Sequence, residues 1–467
     1  MIRDIYSVRE ADAAGEWQDG MVLGNGRTGV ICSCSPYEEA IVFQNMDFVI
    51  PKDEPRFTPP EVRGELEEAR QAVINLDESW DVHDRKRTDM YGFHPGARLI
   101  ITQPKEEVSD YRCILNASTG ELKVSYSDRH GKWCRCYFVS RRDDVAVMRF
   151  TQSDSGKKLK LTFSVDDIKN MPRYGVNKRN ITPECEMVYH AFKDEKNNCI
   201  GLIAHYPDYE GSELKECGYL TISRIYDKND GEEIIVLSKA VCLTGLGRVE
   251  DFDTFDYSSI VEMYAEEIDS IAMQYTDEAG QLDYDKILKP HALLHEQMFK
   301  AVSLALGNAE EADASLSNEQ LIKKQKESKE LLDEMVMRVY AQGREAMIDC
   351  GGYSAPRLCG LWTGEWNPGW NGAYTMDANV NIQVAGMNTG HVYDAALGYI
   401  YFILKQIPDW LQNASDVYGM KDAFLIPVNT DGRRAMMVEY DKRDLFQYWN
   451  AGASWMMVPL FEFWQCY

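Results

Sequence analysis

The sequence predicts a β + α multidomain protein in which an N-terminal antiparallel β-sandwich is followed by helical domains. Residues 1 to about 245 contain many short runs of alternating apolar and polar side chains, separated by turn residues. From about residue 255 the apolar side chains recur every three or four positions instead. With 467 residues, the chain is long enough for several domains.

Strict alternation predicts the strands of the sandwich. In KLKLTFSV, residues 158–165, the apolar side chains fall on one face of an extended chain: Leu159, Leu161, Phe163 and Val165. The segments GELKVSYSD, residues 120–128, and DDVAVMRFTQ, residues 143–152, behave in the same way. Many such strands without intervening helices indicate a large antiparallel sandwich.

Helices are predicted after the strands. The first has one apolar face, formed by Ile260, Tyr264, Ile268, Ile271 and Tyr275. The second is expected to run from about Pro290 to Leu306, with Gly307 as its stop. The capping-box spacing of Ser317 and Gln320 predicts the start of a third helix, leading to Leu331, Met335, Val339 and Tyr340. The chain is expected to be loop-rich up to about residue 390 and helical again over 391–406.

Composition and charge exclude several classes of partner. The net charge of −25 argues against nucleic acid or an anionic membrane, because both need a basic surface. No secretory leader and no apolar run of membrane-spanning length is visible. The C-x-C pairs Cys32/Cys34 and Cys134/Cys136 lie in strand-like runs and lack zinc-site spacing, so we interpret them as reduced core thiols of a cytoplasmic protein. Metal binding or disulfides are the alternative.

The final run, GASWMMVPLFEFWQCY, is helix-like and strongly apolar. A domain seldom ends on an exposed edge such as Phe463, Trp464 and Tyr467. We therefore expect the chain to be cut within a helical domain. The alternative is a dimer that buries this edge, and the oligomeric state is not predicted.

Gly24, Gly26 and Gly29 have the G-x-G-x-x-G spacing of a dinucleotide-binding loop. That motif needs a helix after the glycines to hold the pyrophosphate. Here Val30-Ile31-Cys32 follows, which is typical of a strand. We therefore interpret GNGRTG as a turn between early strands of the sandwich, and no cofactor is expected.

The region 360–391 is the main candidate for chemistry. Tryptophan recurs every four residues, at Trp362, Trp366 and Trp370, and Tyr374 follows. In a glycine-rich loop these rings either stack on the apolar face of a sugar or pack into the hydrophobic core. In MDANVNIQV, an extended conformation would place Asp377, Asn379, Asn381 and Gln383 on one face. Amides can orient a water molecule beside a carboxylate, as inverting glycoside hydrolysis requires. A solvent-facing edge strand is the alternative.

Two histidines are candidate metal ligands, and two common catalytic motifs are absent from the sequence. His291 and His295 have i, i+4 spacing and could share a metal ion, but no third ligand is evident and helix-face packing is the preferred interpretation. Neither G-x-S-x-G nor a P-loop is present, which leaves serine hydrolases and P-loop NTPases without support.

A set of motifs follows one order through nearly the whole chain: EWQDGMVLGNGRTGVI (16–31), AIVFQN (40–45), the segment 110–150 that begins DYRCILNASTG, YDKILKPHALLHEQMFKAVSLALG (284–307), QGREAMIDCGGYSAPRLCGLW (342–362), YGMKDAFLIPVNTDG (418–432) and WNAGASW (449–455). As a set they resemble glycoside hydrolase family 95, the α-L-fucosidases and related α-L-galactosidases. Val22 stands where that family usually has proline.

The resemblance implies a β-supersandwich over 1–248, a helical linker over 249–312, and the first part of an (α/α)₆ catalytic barrel over 313–467. It implies a metal-free, inverting, exo-acting enzyme in which two Asn residues, two apart, bind the attacking water. Without gaps this pair falls on Asp377 and Asn379, and with a two-residue shift it falls on Asn379 and Asn381.

For the sugar itself, we expect the Trp362–Tyr374 loop to line the site, namely Trp362, Trp366, Trp370 and Tyr374, with Thr375 at the family's His or Thr position and Trp449 as a further contact. The family's general-acid Glu and base Asp have no counterpart that we can assign up to residue 467, so we expect residues 1–467 alone to be inactive. The oligosaccharide could end in fucose, galactose or another sugar. A non-catalytic carbohydrate-binding protein and a disaccharide phosphorylase are the alternatives.

Overall fold

A computed structural model of the chain describes residues 6–9, 17–52, 63–77, 90–153, 159–166, 187–228, 231–307, 311–366, 368–435 and 449–467. Within these ranges the N-terminal part is built from antiparallel sheets and the C-terminal part is mainly helical. The predicted order of a β-sandwich followed by helices is therefore confirmed. The domain limits at residues 248 and 312 remain predictions.

The described strands, numbered in chain order, are β1 (Tyr6–Arg9), β2 (Met21–Gly24), β3 (Thr28–Cys32), β4 (Glu38–Asn45), β5 (Val49–Ile50), β6 (Gly92–Phe93), β7 (Arg98–Thr102), β8 (Ser109–Asn116), β9 (Glu121–Asp128), β10 (Gly131–Val139), β11 (Ala146–Gln152), β12 (Thr162–Asp166), β13 (Val188–Asp194), β14 (Cys199–His205), β15 (Cys217–Lys228), β16 (Glu233–Thr244), β17 (Tyr374–Thr375) and β18 (Asn429–Thr430).

The described α-helices are α1 (Leu66–Asn75), α2 (Ser258–Ala272), α3 (Tyr284–Phe299), α4 (Glu311–Ala314), α5 (Asn318–Glu327), α6 (Asp333–Cys350), α7 (Asn379–Gln383), α8 (Tyr393–Tyr418) and α9 (Gly452–Cys466).

Two large sheets form the sandwich. The first has the order β1-β8-β9-β10-β11-β16-β15-β14-β13, and the second has the order β12-β7-β4-β3-β2. Alternate residues of the strands point into the core between the sheets, as Leu122, Val124 and Tyr126 of β9 do. The predicted KLKLTFSV strand is shorter than expected, since β12 begins at Thr162 and Lys158 lies outside the described residues.

The glycine fingerprint closes a hairpin. Strands β2 and β3 pair antiparallel, with Gly24 opposite Gly29. The Asn25 side-chain oxygen accepts hydrogen bonds from the backbone N–H groups of Arg27 (3.0 Å) and Thr28 (2.8 Å), which stabilises the turn. The segment after the glycines is a strand, so the interpretation as a turn is confirmed.

The first two helix predictions differ in outcome. Helix α2 has the predicted apolar face, and its Ile268 is fully buried against the sandwich. Helix α3, however, begins at Tyr284 rather than at Pro290 and ends at Phe299. The Asp283 side chain accepts from the backbone N–H groups of Asp285 and Lys286. This cap starts the helix earlier and places Pro290 inside it, where proline cannot donate a backbone hydrogen bond.

The predicted third helix is two helices. Ser317 and Gln320 form the predicted capping box at the start of α5. The helix ends at Glu327, and α6 begins only at Asp333. The Gln325 side chain bonds the backbone of the intervening turn, accepting from Leu332 N–H (2.9 Å) and donating to the Glu330 carbonyl (2.9 Å), which stabilises the break.

The predicted extended segment over 376–384 is wrong. Strand β17 covers only two residues, and α7 follows it. Val380 and Val384, four residues apart, both point into the helical core. The alternating pattern therefore also satisfied helical spacing, and Asn and Asp are poor strand formers.

Two helices close the described fold. Helix α8 confirms the helix expected over 391–406 and extends it to Tyr418. Helix α9 buries Met456 and leaves Trp464 74% exposed. Within the described ranges, no helix combines the length and apolar character needed to cross a bilayer.

Candidate functional site

The hairpin formed by residues 24–29, here called the glycine hairpin, contacts the end of helix α6. Gly26 donates its N–H to the Asp349 carbonyl (2.8 Å) and has a φ of +93°. A Cβ at Gly26 would lie 2.0 Å from the Gly351 carbonyl oxygen. Trp362 donates its indole N–H to the Leu23 carbonyl (2.9 Å) in the same contact. The glycines therefore serve the close approach of the sandwich to the helical part.

Arg141 crosses the same boundary. It follows β10, and its guanidinium donates to the Ile348 carbonyl (2.8 Å) and to the Asp349 carboxylate (3.1 Å). The guanidinium also donates to Nδ1 of His295 (3.3 Å), so His295 Nε2 carries the hydrogen and donates to the Glu345 carboxylate (2.9 Å). One buried arginine thus joins the sandwich to helices α3 and α6.

His295, Glu345 and Asp349 form a buried cluster whose polar atoms lie within 4.8 Å of one another. Burial raises the pKa of Glu345 well above its usual range, and burial together with Glu345 raises the pKa of Asp349 to about 7. Burial lowers the pKa of His295 to about 4. These donor atoms could hold a metal ion, but the Arg141 guanidinium already contacts His295 and Asp349, which disfavours a second cation there.

A cavity of about 350 Å³ opens beside the glycine hairpin, between the sandwich and the helices. Its walls come from the segments after β4, after α6 and after β18, and from helix α8. The lining residues are Met46, Asp47, Gly352, Tyr353, Ser354, Arg357, Tyr374, Tyr401, Phe402, Lys405, Gly432 and Arg433. We call it the cationic cavity, because three of these side chains are basic and one is acidic.

Arg357 is the most firmly held of the basic residues. It is 2% exposed, and its Nε and Nη2 both donate to the Met46 carbonyl (3.2 and 2.9 Å). Its guanidinium lies between the rings of Phe93 (4.7 Å) and Tyr374 (4.6 Å). Within the described residues its Nη1 is buried without a hydrogen-bond partner.

The other charged lining residues are Asp47, Lys405 and Arg433. Partial burial lowers the pKa of Lys405; Asp47 opposes this shift, and Arg433 and Arg357 add to it. Asp47 accepts a hydrogen bond from the Tyr353 hydroxyl (2.5 Å), and burial raises the pKa of that phenol. The cavity is thus positively charged, with aromatic walls.

A second, larger cavity of about 620 Å³ adjoins the first and shares Gly352, Tyr353 and Tyr401 with it. The glycine hairpin contributes Asn25 and Arg27 to its wall. Both cavities therefore lie at the boundary between the sandwich and the helices, where ligand sites commonly occur.

The structure separates the predicted aromatic residues. Trp366 is 2% exposed and stacks on His94, with ring centroids 5.2 Å apart. Trp370 is 71% exposed on a turn, and Trp449 is half-buried against the helical core. Of the predicted sugar contacts, only Tyr374 lines one of these two cavities.

The predicted water-binding residues lie on or before α7. Asp377 is exposed, and Asn379 is half-buried at the first position of the helix. Asn381 is buried; its amide donates to the Trp455 carbonyl (2.7 Å) and accepts from the Tyr399 hydroxyl (2.9 Å). Two positions apart on a helix, Asn379 and Asn381 point in different directions rather than along one face. The hydroxyl of Thr375 is buried without a partner among the described residues. The roles of these residues remain predictions.

The charged lining of the cationic cavity was not predicted from the sequence. Asp47, Arg357, Lys405 and Arg433 come from segments far apart in the chain and share no motif. The available signal was the unusual basic pair in DGRRA, residues 431–435, close to an apolar run.

Two parts of the chain match known domain families. Residues 9–235 match the glycosyl hydrolase family 65 N-terminal domain, and residues 283–467 match the glycosyl hydrolase family 95 catalytic domain. No curated protein matches the sequence. One solved structure that matches is titled "Putative kojibiose phosphorylase from human microbiome"; it is 10% identical, with a TM-score of 0.47, over 95% of this chain and 51% of that chain. The chain thus spans about half the length of that structure.

Proposed function

We propose that the chain is a divergent glycoside hydrolase family 95-like protein and that it is an exo-acting, inverting glycosidase of the α-L-fucosidase type. The observation that carries the proposal is the match of residues 283–467 to the family 95 catalytic domain. An oligosaccharide with a terminal fucose or a related sugar is the proposed substrate, and the cytoplasm is the proposed location.

In this proposal Asn379 orients the attacking water. Its half-buried position at the start of α7, two residues after the exposed Asp377, supports this assignment over Asn381. The Asn381 amide is occupied by Trp455 and Tyr399, so we assign it to holding α7 against α8 and α9. An inverting reaction needs such a water on the face of the sugar opposite the leaving group.

The test is the hydrolysis of an aryl α-L-fucoside and of 2′-fucosyllactose by residues 1–467 and by the complete product of the gene. Asn379→Ala should lower kcat by roughly a hundredfold or more with little change in KM, since orienting the water matters mainly in the transition state. Asn450→Ala, a change at an exposed asparagine of the α9 entry, is the matched control. An unchanged kcat for Asn379→Ala contradicts the assigned role.

The same assays separate the two alternatives. A non-catalytic carbohydrate-binding protein retains the sugar and yields no product under any condition. A disaccharide phosphorylase turns over only when phosphate is added and releases a sugar 1-phosphate. Activity of residues 1–467 alone would show that the general acid and base lie within them.

A further inference from the structure

We propose that the cationic cavity binds a phosphate-class oxyanion, either free phosphate or the phosphate group of a sugar monoester. The inference rests on the side chains of the cavity and does not depend on the fucosidase proposal. Its basis is an excess of positive charge among the lining residues, two buried donors without partners in the described residues, and an aromatic wall, all around one cavity.

The charge balance favours a dianion. Arg357, Lys405 and Arg433 line the cavity, and Asp47 is the one carboxylate among the lining residues that the structure describes. Asp431, just before Arg433 in the chain, lies 3.7 Å from the Arg434 guanidinium, so these two opposite charges offset each other. The lining therefore carries an excess of two positive charges, which a phosphate with a charge of about −1.5 to −2 compensates better than a carboxylate does.

The donor geometry supports the same ligand. Arg357 Nη1 is buried and has no partner in the described part of the chain, although the other two guanidinium nitrogens are satisfied by Met46. The Nε of Arg433 is likewise buried and unpartnered. A buried N–H without a partner is unfavourable, so these donors are expected to face a ligand that accepts hydrogen bonds from them.

The shape of the cavity leaves room for more than an inorganic ion. Tyr374 and Phe402 form one wall, with ring centroids 4.6 Å apart, and Tyr401 lies beside them. Such rings suit the apolar face of a sugar. A volume of about 350 Å³ lies at the lower end of the range for small-molecule sites. A hexose carrying one phosphate therefore fits both the wall and the charge.

Isothermal titration calorimetry at pH 7 and low salt tests the proposal, with inorganic phosphate, a hexose 1-phosphate, a hexuronate and a neutral hexose as ligands. Phosphate should bind, and the affinity should fall at higher ionic strength. Tighter binding of the hexose 1-phosphate identifies a sugar monoester as the ligand, whereas equal affinity identifies free phosphate. Preferential binding of the hexuronate or of the neutral hexose overturns the proposal.

Lys405→Gln is the decisive variant, because this side chain lies exposed at the rim and its loss should not disturb folding. It should weaken phosphate binding about tenfold or more, the effect of one charge-assisted hydrogen bond. Lys421→Gln removes the same charge from an exposed position just beyond α8, outside the cavity lining, and should leave the affinity unchanged.

A second variant, Arg433→Gln, should weaken binding in the same direction, with the unfolding temperature as its folding control. Equal effects of the Lys405 and Lys421 variants, or the absence of phosphate binding to the folded wild-type protein at millimolar concentrations, would refute the site. Neither result bears on the hydrolysis of neutral fucosides, so the two proposals fail separately.

Discussion

Gly26→Ala should destabilise the contact between the sandwich and the helical part. The backbone of Gly26 has a φ of +93°, where a residue with a Cβ is strained by about 1–2 kcal/mol. The added Cβ would also lie 2.0 Å from the Gly351 carbonyl oxygen and 2.9 Å from its carbon. These are backbone atoms, so no side chain can rotate away to relieve the overlap.

The second cost follows from the geometry. An ordinary contact between carbon and a carbonyl oxygen is about 3.3 Å or longer, so the hairpin and the 349–351 segment must separate by about 1 Å. That movement stretches the 2.8 Å hydrogen bond from Gly26 N–H to the Asp349 carbonyl beyond bonding distance. Its loss adds about 1 kcal/mol. The total is about 2–3 kcal/mol before any loss of packing around Trp362 and Leu361 is counted.

Gly211→Ala is the matched control. Gly211 has a similar φ of +82°, but a Cβ there would meet no atom within 4 Å. Urea denaturation, followed by tryptophan fluorescence, should therefore show a larger decrease in midpoint for Gly26→Ala than for Gly211→Ala. Equal decreases would mean that backbone conformation alone explains the glycine and that the close approach to Gly351 contributes nothing.

Two further predictions concern groups buried in the helical part and the sandwich. Asp349→Asn should flatten the pH dependence of stability. The pKa of Asp349 is raised to about 7 in the folded protein, so between about pH 4 and pH 7 unfolding releases a proton. The stability of the wild-type protein therefore falls as the pH rises through this range, by at most about 1.4 kcal/mol per pH unit. Parallel curves of unfolding temperature against pH for the wild type and the variant would contradict this. Trp366→Ala should cost about 3–5 kcal/mol in unfolding free energy, because the indole is fully packed against His94, whereas Trp370→Ala at an exposed turn should change it by less than about 0.5 kcal/mol. Similar losses for the two tryptophan variants in chemical denaturation would refute the distinction between core and surface.

Local patterns predicted much of the fold because the relevant interactions are local. The alternation in GELKVSYSD predicted β9, and the Ser317–Gln320 pair predicted the start of α5. The pattern failed at 376–384, where five helical residues are too few to separate a period of two from one of 3.6. It also failed at Pro290, because the stronger cap at Asp283 overrode the preference of proline for the first turn.

The candidate site was less predictable because the tertiary fold creates it. Asp47 and Arg433 both line the cationic cavity although nearly 400 positions separate them in the sequence. No spacing rule connects such residues. The sequence did single out Tyr374, which lies in an aromatic-rich loop and does line the cavity. Resemblance to a family pointed to the part of the chain that matches the family 95 catalytic domain, but it could not predict the charges that are particular to this chain.

The sandwich is part of the site rather than a separate support. The Met46 carbonyl, directly after β4, fixes the Arg357 guanidinium, and the neighbouring Asp47 supplies a lining carboxylate. The glycine hairpin precedes this strand in the same sheet and sets how closely the sheet approaches helix α6. If the cavity depends on this close contact between the sheet and helix α6, preventing the contact should weaken ligand binding. Gly26→Ala should therefore weaken phosphate binding even under conditions in which both parts remain folded, whereas Gly211→Ala should not. Unchanged phosphate affinity in a folded Gly26→Ala protein would show that the cavity is formed by the helical part alone.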